Sequence, residues 1–218
     1  MCMKIYGFWR SIASFRVRVA LRLKELPFEE IPVDILSGEQ FKPDYDAVNA
    51  ERVVPTLVHD QHRIFQSLAI IEYLEDVKPE PRLLPSDPID RAYARSLALM
   101  TIADAHPLVT PRVRNHLVKA FAADSEAIDK WAGHWTVEGL ATYERLLARR
   151  SPAPFALGAE PGIADICIAG QVVGAHFLRL DMTPYPTVAQ LAERCFALPA
   201  FATSHPFEQP GYKAAAGR

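Results

Sequence analysis

The stretch VVPTLVHDQHRIFQSLAIIEYL, residues 53–74, decides the first half of the fold. Residues 53–58 and 63–65 are short runs rich in β-branched and apolar side chains, a pattern that predicts the two strands of a β-hairpin. Gln66 and Ser67 come next, followed by an apolar run at 68–74. A serine before such a run is a typical helix N-cap. The stretch therefore predicts a hairpin that leads into a helix.

The residues before this stretch predict a strand, a helix and a second strand. Residues 4–7 form a short strand candidate, and Phe15, Val19 and Leu23 repeat every fourth position, which is typical of a helix. Residues 27–33 contain two prolines, which donate no backbone hydrogen bond, so we expect an edge strand there. We expect the four cations of the helix to face solvent: Arg16, Arg18, Arg22 and Lys24.

A proline-rich segment divides the chain. Four prolines lie between Lys78 and Asp90, a density through which no helix can run. We predict a domain at 1–80, a linker at 81–88 and a second domain at 89–218. Helical patterns dominate that second part: 90–105, 126–150, 163–178 and 186–198. The fold class is thus an α/β domain followed by an all-α domain.

Composition excludes several classes of function. The chain has 24 basic and 26 acidic residues and a formal net charge of −2, which argues against a nucleic-acid binder with a broad basic surface. Its three cysteines form no CxxC pair, so no zinc site and no dithiol redox centre is indicated. No apolar run is long enough to span a membrane, and no signal-peptide pattern is present. We expect no metal and a cytoplasmic location.

Two serine-containing segments precede predicted helices. Ser11 and Ser14 lie before the first helix, and Gln66 and Ser67 lie before the later one. A helix N-terminus carries unpaired N–H groups and partial positive charge, so a hydroxyl there can help to bind an anion such as a carboxylate. The alternative is that these serines only cap their helices.

Two further segments leave their interpretation open. Pro55 at a strand start indicates either an edge position or a cis bond. A cis bond would leave the N–H and C=O of Val54 available to an extended peptide. His106 is an isolated histidine, a residue type that serves more often in packing than in acid–base catalysis. Asp165, three positions into a predicted helix, is typical of a capping box and is taken as structural.

Together, these segments resemble the zeta class of the glutathione transferases, which includes maleylacetoacetate and maleylpyruvate isomerases. The similar stretches occur in family order over nearly the whole chain: 10–18, 54–57, 66–75, 81–85, 106–108, 164–165, 183–187, 204–206 and 209–210. The resemblance implies a thioredoxin-like domain that binds glutathione, a helical domain that completes the pocket for a small electrophile, and a homodimer.

The resemblance also implies roles for single residues. Ser11 would be the catalytic hydroxyl that faces the glutathione sulfur. Gln66 and Ser67 would hold the γ-glutamyl end. Val54 would pair with the cysteinyl backbone ahead of a cis Pro55. The implied glutathione contacts are Gln40, Val54, Pro55, Gln66, Ser67 and His106, and the implied substrate pocket comprises Arg10, Ile12, Ser14, Arg112 and Phe177.

The sequence departs from the class pattern mainly in the half of the site that takes the second substrate. Ile12 and Ala13 replace a serine and a cysteine, and Phe177 lies where the class often has an arginine. The pocket is therefore predicted to be more apolar than in the isomerases. We expect a general glutathione transferase of zeta-like type. The alternatives are a glutathione-dependent cis–trans isomerase and a glutathione-binding module without catalysis.

Overall fold

The computed structural model describes residues 3–212. Its strands are β1 (Met3–Gly7), β2 (Phe28–Pro32), β3 (Thr56–His59) and β4 (His62–Phe65). Its helices are α1 (Ile12–Leu23), α2 (Pro43–Asp46), α3 (Ser67–Val77), α4 (Pro88–Leu99), α5 (Pro111–Phe121), α6 (Ser125–Leu147), α7 (Ile163–Phe177), α8 (Pro186–Phe196) and α9 (Pro199–Ala202).

The four strands form one mixed sheet in the order β2-β1-β3-β4. β1 pairs in parallel with β2 and antiparallel with β3, and β3 and β4 form the predicted hairpin. Helices α1 and α3 pack against each other and bury apolar side chains such as Phe15 and Ile70. The thioredoxin-like α/β prediction is confirmed, with β2 at an edge of the sheet, where its prolines are tolerated.

The described chain divides into two compact units, and the division differs from the predicted one at the C-terminal end. One unit contains residues 3–83 together with 198–212, and the other is Leu84–Ala197. Residues 198–212 were expected in the helical domain. They pack with the first unit because Phe201 of α9 buries its ring 6.5 Å from that of Phe15, and Arg22 donates to the Ser204 hydroxyl at 2.8 Å.

The second unit is helical, as predicted, and is built around α7. This helix is apolar on nearly all sides and packs against α4, α6 and α8. Asp165 accepts the N–H groups of Ala156 at 2.8 Å and Gly162 at 2.9 Å, which confirms its capping role. The chain also forms a π-helical turn, Met100–Ala105, after α4, and the sequence did not predict α2 or α5. None of the helices described is long and apolar enough to cross a membrane.

The prediction that the four cations of the first helix face solvent is wrong for three of them, because Arg16, Arg18 and Lys24 are buried. A buried charge is tolerated only where it is paired and hydrogen-bonded. Arg18 meets this condition through Nε, which lies 3.0 and 2.9 Å from the two carboxylate oxygens of Glu30. Lys24 pairs with Glu75 and donates to two backbone carbonyls at the end of α3.

Candidate functional site

The register of the sheet brings the predicted glutathione-binding segments of the first unit to one end of the sheet. Tyr6 near the end of β1 lies opposite Thr56 at the start of β3, and Thr56 lies opposite Phe65 at the end of β4. In the parallel pair, Gly7 lies beside Pro32 at the end of β2. The segments that leave or enter this end of the sheet carry Arg10, Ser11, Ile12, Ser14, Gln40, Val54, Pro55, Gln66 and Ser67.

Ser11 is the N-cap of α1. Its Oγ accepts the N–H of Ser14 at 3.1 Å, so one lone pair of the hydroxyl is in use. No acceptor for the Ser11 hydroxyl proton lies within hydrogen-bond distance in the described part of the chain. The first turn of the helix adds partial positive charge at this point. Ser11 can therefore cap the helix and donate its proton to an anion at the same time.

The neighbours of Ser11 differ in their accessibility. Ser14 is fully buried, and its Oγ accepts the N–H of Phe8 at 3.3 Å. Its hydroxyl therefore braces the loop between β1 and α1, whereas the prediction placed Ser14 in the substrate pocket. Ile12 is half-buried and Arg10 is exposed, so both side chains remain accessible beside Ser11.

The peptide bond between Val54 and Pro55 is cis, which settles the alternative left open by the sequence. Val54 is half-buried, and neither its N–H nor its C=O is hydrogen-bonded to any residue between 3 and 212. An extended peptide lying alongside can satisfy both groups, as an added strand does. Val54 therefore offers a main-chain docking point for a peptide.

A buried network holds the chain on both sides of Val54. The Tyr45 hydroxyl donates to the carbonyl of Val53 at 2.6 Å, and Asn49 Nδ2 donates to the same oxygen at 3.0 Å. Asn49 Nδ2 also donates to Thr56 Oγ1 at 3.0 Å, and the Tyr45 and Thr56 hydroxyls lie 3.1 Å apart. Because Tyr45 has only one proton, the Thr56 hydroxyl is the donor of that last bond. Burial raises the pKa of Tyr45, which keeps it protonated.

Gln66 and Ser67 lie where β4 passes into α3. Gln66 is the N-cap residue and has a φ of 68°, which is uncommon for a residue other than glycine. Ser67, predicted as the cap, is instead the first helical residue. Its Oγ accepts both Nε and Nη2 of Arg16, at 3.1 and 3.0 Å. Ser67 is buried, and its hydroxyl has only its proton left to donate, next to the N–H groups of the first turn.

Gln40 lies in the 3-10 turn Glu39–Phe41 after β2. Its Nε2 donates to the carbonyl of Ile35 at 3.3 Å, whereas its buried Oε1 has no hydrogen-bond partner among the described residues. An unsatisfied buried acceptor costs free energy until a donor reaches it. The side chain is therefore prepared to accept a hydrogen bond.

Comparison with known proteins places this arrangement in a family. The glutathione S-transferase N-terminal domain family matches residues 1–76. The maleylacetoacetate isomerase of Pseudomonas aeruginosa is 38% identical over 98% of this chain and 100% of its own. The holo structure of a maleylpyruvate isomerase, described as a zeta-class bacterial glutathione S-transferase, superposes with a TM-score of 0.92 at 38% identity, covering 95% of this chain and 98% of that one. The chain belongs to the zeta class of the glutathione S-transferases.

A further zeta-class structure contains ligands. The maleylacetoacetate isomerase of Methylobacterium extorquens AM1, with bound malonate and glutathione, superposes with a TM-score of 0.93 at 40% identity. The match covers 95% of this chain and 98% of that one. The similarity thus extends over both units of this zeta-class transferase.

The second unit of this zeta-class transferase carries the other three predicted residues. His106 is half-buried at the start of the 3-10 turn His106–Val109, and Trp131 Nε1 donates to the carbonyl of Leu108 in this turn at 2.8 Å. Arg112 is exposed in the first turn of α5, and Phe177 is half-buried at the end of α7. No group of three or more His, Cys, Asp or Glu residues within 3–212 is arranged to hold a metal ion.

The sequence analysis missed four residues that form hydrogen bonds at or beside the candidate site. Arg16 was assigned to solvent by helix periodicity, yet it lies 2% exposed against Ser67. Tyr45, Asn49 and Glu51 lie in a segment for which no element was predicted. The signal for Tyr45 and Asn49 was present: a tyrosine and an asparagine within ten residues before a proline-containing strand start can supply the polar groups that such a bend needs.

Proposed function

We propose that glutathione binds along this end of the first unit, with its γ-glutamyl end at Gln66 and Ser67. Its cysteinyl main chain pairs with Val54, ahead of Pro55, and its sulfur lies against Ser11. The unpaired main-chain groups of Val54 and the proton that the Ser67 hydroxyl has left to donate support this alignment. Gln40 and His106 are proposed as two further glutathione contacts.

The hydrogen bonding of Ser11, whose oxygen accepts from Ser14 while its proton is left to donate, carries the catalytic proposal. A cysteine-type thiol has a pKa of about 8.5, and lowering it by about two units needs roughly 2.7 kcal/mol of preference for the thiolate. One hydrogen bond to a charged group contributes about 1.5–3 kcal/mol. The N-terminus of α1 contributes about 0.3–1 kcal/mol more. Ser11, whose acceptor side is already occupied by Ser14, can therefore stabilise the thiolate at neutral pH.

The thiolate then forms a bond to an electrophilic carbon of a small substrate. In a transferase reaction, a leaving group departs with the electron pair and the conjugate is released. Ile12 and Phe177 support this reaction, because their apolar side chains suit a nonpolar electrophile. This general transferase activity is the main proposal.

Isomerisation is the second candidate. The thiolate adds to one carbon of a cis double bond, the single bond that results rotates, and elimination of the thiolate gives the trans product and free glutathione. The similarity to the isomerase of Pseudomonas aeruginosa supports this reaction. Arg10 and Arg112, the cations of the predicted substrate pocket, are proposed to bind a substrate carboxylate.

One assay separates the two reactions. The protein is given maleylacetone or a chlorinated aromatic, each with and without glutathione, and both product and free glutathione are measured. Conjugation consumes one glutathione for each turnover, whereas isomerisation consumes none. Turnover that does not depend on glutathione would contradict both proposals. Glutathione binding without turnover of either substrate would support the non-catalytic module instead.

Variants of Ser11 test the mechanism. We expect Ser11→Ala to reduce kcat/KM at neutral pH about 10- to 100-fold, the equivalent of one lost hydrogen bond to a charged group. Ser11→Gly removes the hydroxyl at little cost to helix capping, and Ser11→Thr keeps both the hydroxyl and the cap. The first should match the alanine variant and the second should retain activity. Full activity of the alanine and glycine variants would show that another group activates the thiol.

The assembly and location of the protein are inferred from the family resemblance and its composition. We propose a homodimer in the cytoplasm that acts on a small electrophile without nucleic-acid or membrane partners. Light scattering after gel filtration measures the mass, and a value near that of one 24.3 kDa chain would contradict the dimer.

A further inference from the structure

A carboxylate lies directly beside the residue proposed to meet the γ-glutamyl end of glutathione. Gln66 Nε2 donates to both carboxylate oxygens of Glu51, at 2.8 and 2.9 Å. The backbone N–H of Glu51 donates to Asn49 Oδ1 at 2.9 Å. Because Asn49 belongs to the buried network around Val53, the backbone of Glu51 is tied to the same framework as the peptide docking point.

The contact with Gln66 leaves the carboxylate able to accept more hydrogen bonds. The two oxygens of a carboxylate offer about four lone-pair positions, and one amide nitrogen occupies only part of them. Both Glu51 and Gln66 are exposed, so a ligand can reach them. The left-handed backbone of Gln66 is a conformation that persists where its surroundings hold it, and such residues cluster at ligand sites.

Ser67, the residue after Gln66, has an electrostatic environment opposite to that of Glu51. Ser67 lies at the N-terminus of α3 with the guanidinium of Arg16 behind its hydroxyl. An anion is therefore favoured at Ser67 and a cation at Glu51. The γ-glutamyl end of glutathione carries one carboxylate and one ammonium group on the same carbon atom. The two charges of the ligand thus match the two charges of the protein.

We propose that Glu51 recognises the γ-glutamyl ammonium group and so determines specificity for a free amino terminus. The proposal rests on the proposed binding of glutathione at Gln66 and Ser67. In the bound state, Glu51 accepts an N–H of the ammonium group while it keeps its contact with Gln66. The carboxylate of the ligand faces Ser67 and the first turn of α3.

Binding of glutathione and of N-acetylglutathione tests this role, because acetylation removes the positive charge and leaves the carboxylate and the thiol in place. The dissociation constants of both ligands are measured by calorimetry for the parent protein and for Glu51→Gln. The amide still accepts from Gln66 but lacks the charge. The ratio that matters is the dissociation constant of N-acetylglutathione divided by that of glutathione. Since the pair of Glu51 and Gln66 is exposed, we expect this ratio to fall about two- to fivefold in the variant.

Glu29→Gln is the matched control. Glu29 is also an exposed glutamate with a cationic partner, Lys4, but it lies on β2, at the opposite edge of the sheet from Gln66. Its variant should keep the ratio of the parent protein. Raising the salt concentration should lower the ratio in the parent protein and leave it nearly constant in Glu51→Gln, because salt screens exposed charges.

The outcomes separate this proposal from the one on which it rests. If the parent protein binds glutathione and Glu51→Gln keeps the full ratio, the role of Glu51 is overturned while the proposed function stands. If the parent protein binds neither ligand at millimolar concentration, the proposed function fails and the role of Glu51 fails with it. If the ratio falls in Glu51→Gln and not in Glu29→Gln, the result supports both the proposed function and the role of Glu51.

Discussion

The network around Val53 and Thr56 gives a stability prediction that can be worked out from its bonds. Tyr45 and Asn49 hold the same two groups, the Val53 carbonyl and the Thr56 hydroxyl, from different positions. The perturbation is a double-mutant cycle of Tyr45→Phe and Asn49→Ala. Because the two side chains share their partners, we expect the effects of the two substitutions to be non-additive.

The magnitude follows from what each substitution leaves behind. In Tyr45→Phe, the Val53 carbonyl still accepts from Asn49, so the loss is about one net hydrogen bond, roughly 0.5–1.5 kcal/mol. In Asn49→Ala, the same carbonyl still accepts from Tyr45, and about 1–3 kcal/mol is lost with the side-chain bonds. The double variant leaves the half-buried Val53 carbonyl and the buried Thr56 hydroxyl without these partners, which adds roughly 1–2 kcal/mol beyond the sum.

Urea unfolding of the four proteins measures the coupling energy. The control cycle pairs Asn49→Ala with Tyr73→Phe, because the Tyr73 hydroxyl bonds His59 at 2.7 Å and shares no bond with the network. That cycle should be additive within about 0.5 kcal/mol. Additivity in the Tyr45 cycle as well would refute the shared-partner reasoning. The dissociation constant for glutathione should rise in Tyr45→Phe, in Asn49→Ala and in the double variant, because the network holds the main chain beside Val54.

Three further predictions concern Arg16, Asp165 and Gly211. Arg16→Lys keeps the charge but cannot place two donors on Ser67 Oγ as a guanidinium does. The KM for glutathione should therefore rise about tenfold with little change in kcat. Equal falls in kcat and kcat/KM would contradict a positioning role. Burial raises the pKa of Asp165 to about 6, so its contribution to stability is fully present below about pH 4 and is lost as the pH rises through 6. Asp165→Asn should therefore be more destabilising at pH 4 than at pH 7, by up to about 3 kcal/mol, and an equal effect in urea unfolding at both pH values would count against this. A Cβ at Gly211 would lie 2.5 Å from Trp9 Cδ1, so Gly211→Ala should lower stability by about 1–3 kcal/mol in thermal unfolding, and an unchanged melting temperature would contradict it.

The fold was largely predictable from sequence because its main elements follow local patterns. Runs rich in β-branched and apolar side chains predicted the hairpin, and the four-residue repeat beginning at Phe15 predicted α1. The same repeat assigned Arg16 to solvent, which is wrong, because its partner Ser67 is 51 positions away in sequence. Periodicity sorts side chains by polarity. It cannot detect a buried cation whose hydrogen-bond partner comes from a distant helix.

In the candidate site too, residues in local sequence motifs were predicted, whereas a residue that depends on a distant contact was not. Ser11, Val54 and Gln66 lie in short motifs that were found from the sequence, since turns and helix starts leave a local signature. Arg16, which bonds Ser67 beside Gln66, has no such signature, because the two residues are 51 positions apart and meet only in the fold. The short helix α2 and the segment after it carry most of the network through contacts that are local in sequence, and they were missed because a helix of 4 residues is too short to show a helical repeat.

Two of the three proposed binding segments share one physical device, a hydroxyl that already accepts hydrogen bonds from the protein at a helix N-terminus. The protein itself already donates to each hydroxyl: Ser11 accepts one bond from the backbone of α1, and Ser67 accepts two bonds from Arg16. Ser67 therefore has only its proton left to donate, whereas Ser11 has its proton and one lone pair, and both residues lie at the positive end of a helix. A ligand that brings only donors to Ser67 gains nothing there. One that brings a carboxylate and a thiolate, joined by an extended peptide long enough to pass Val54, satisfies all three segments at once.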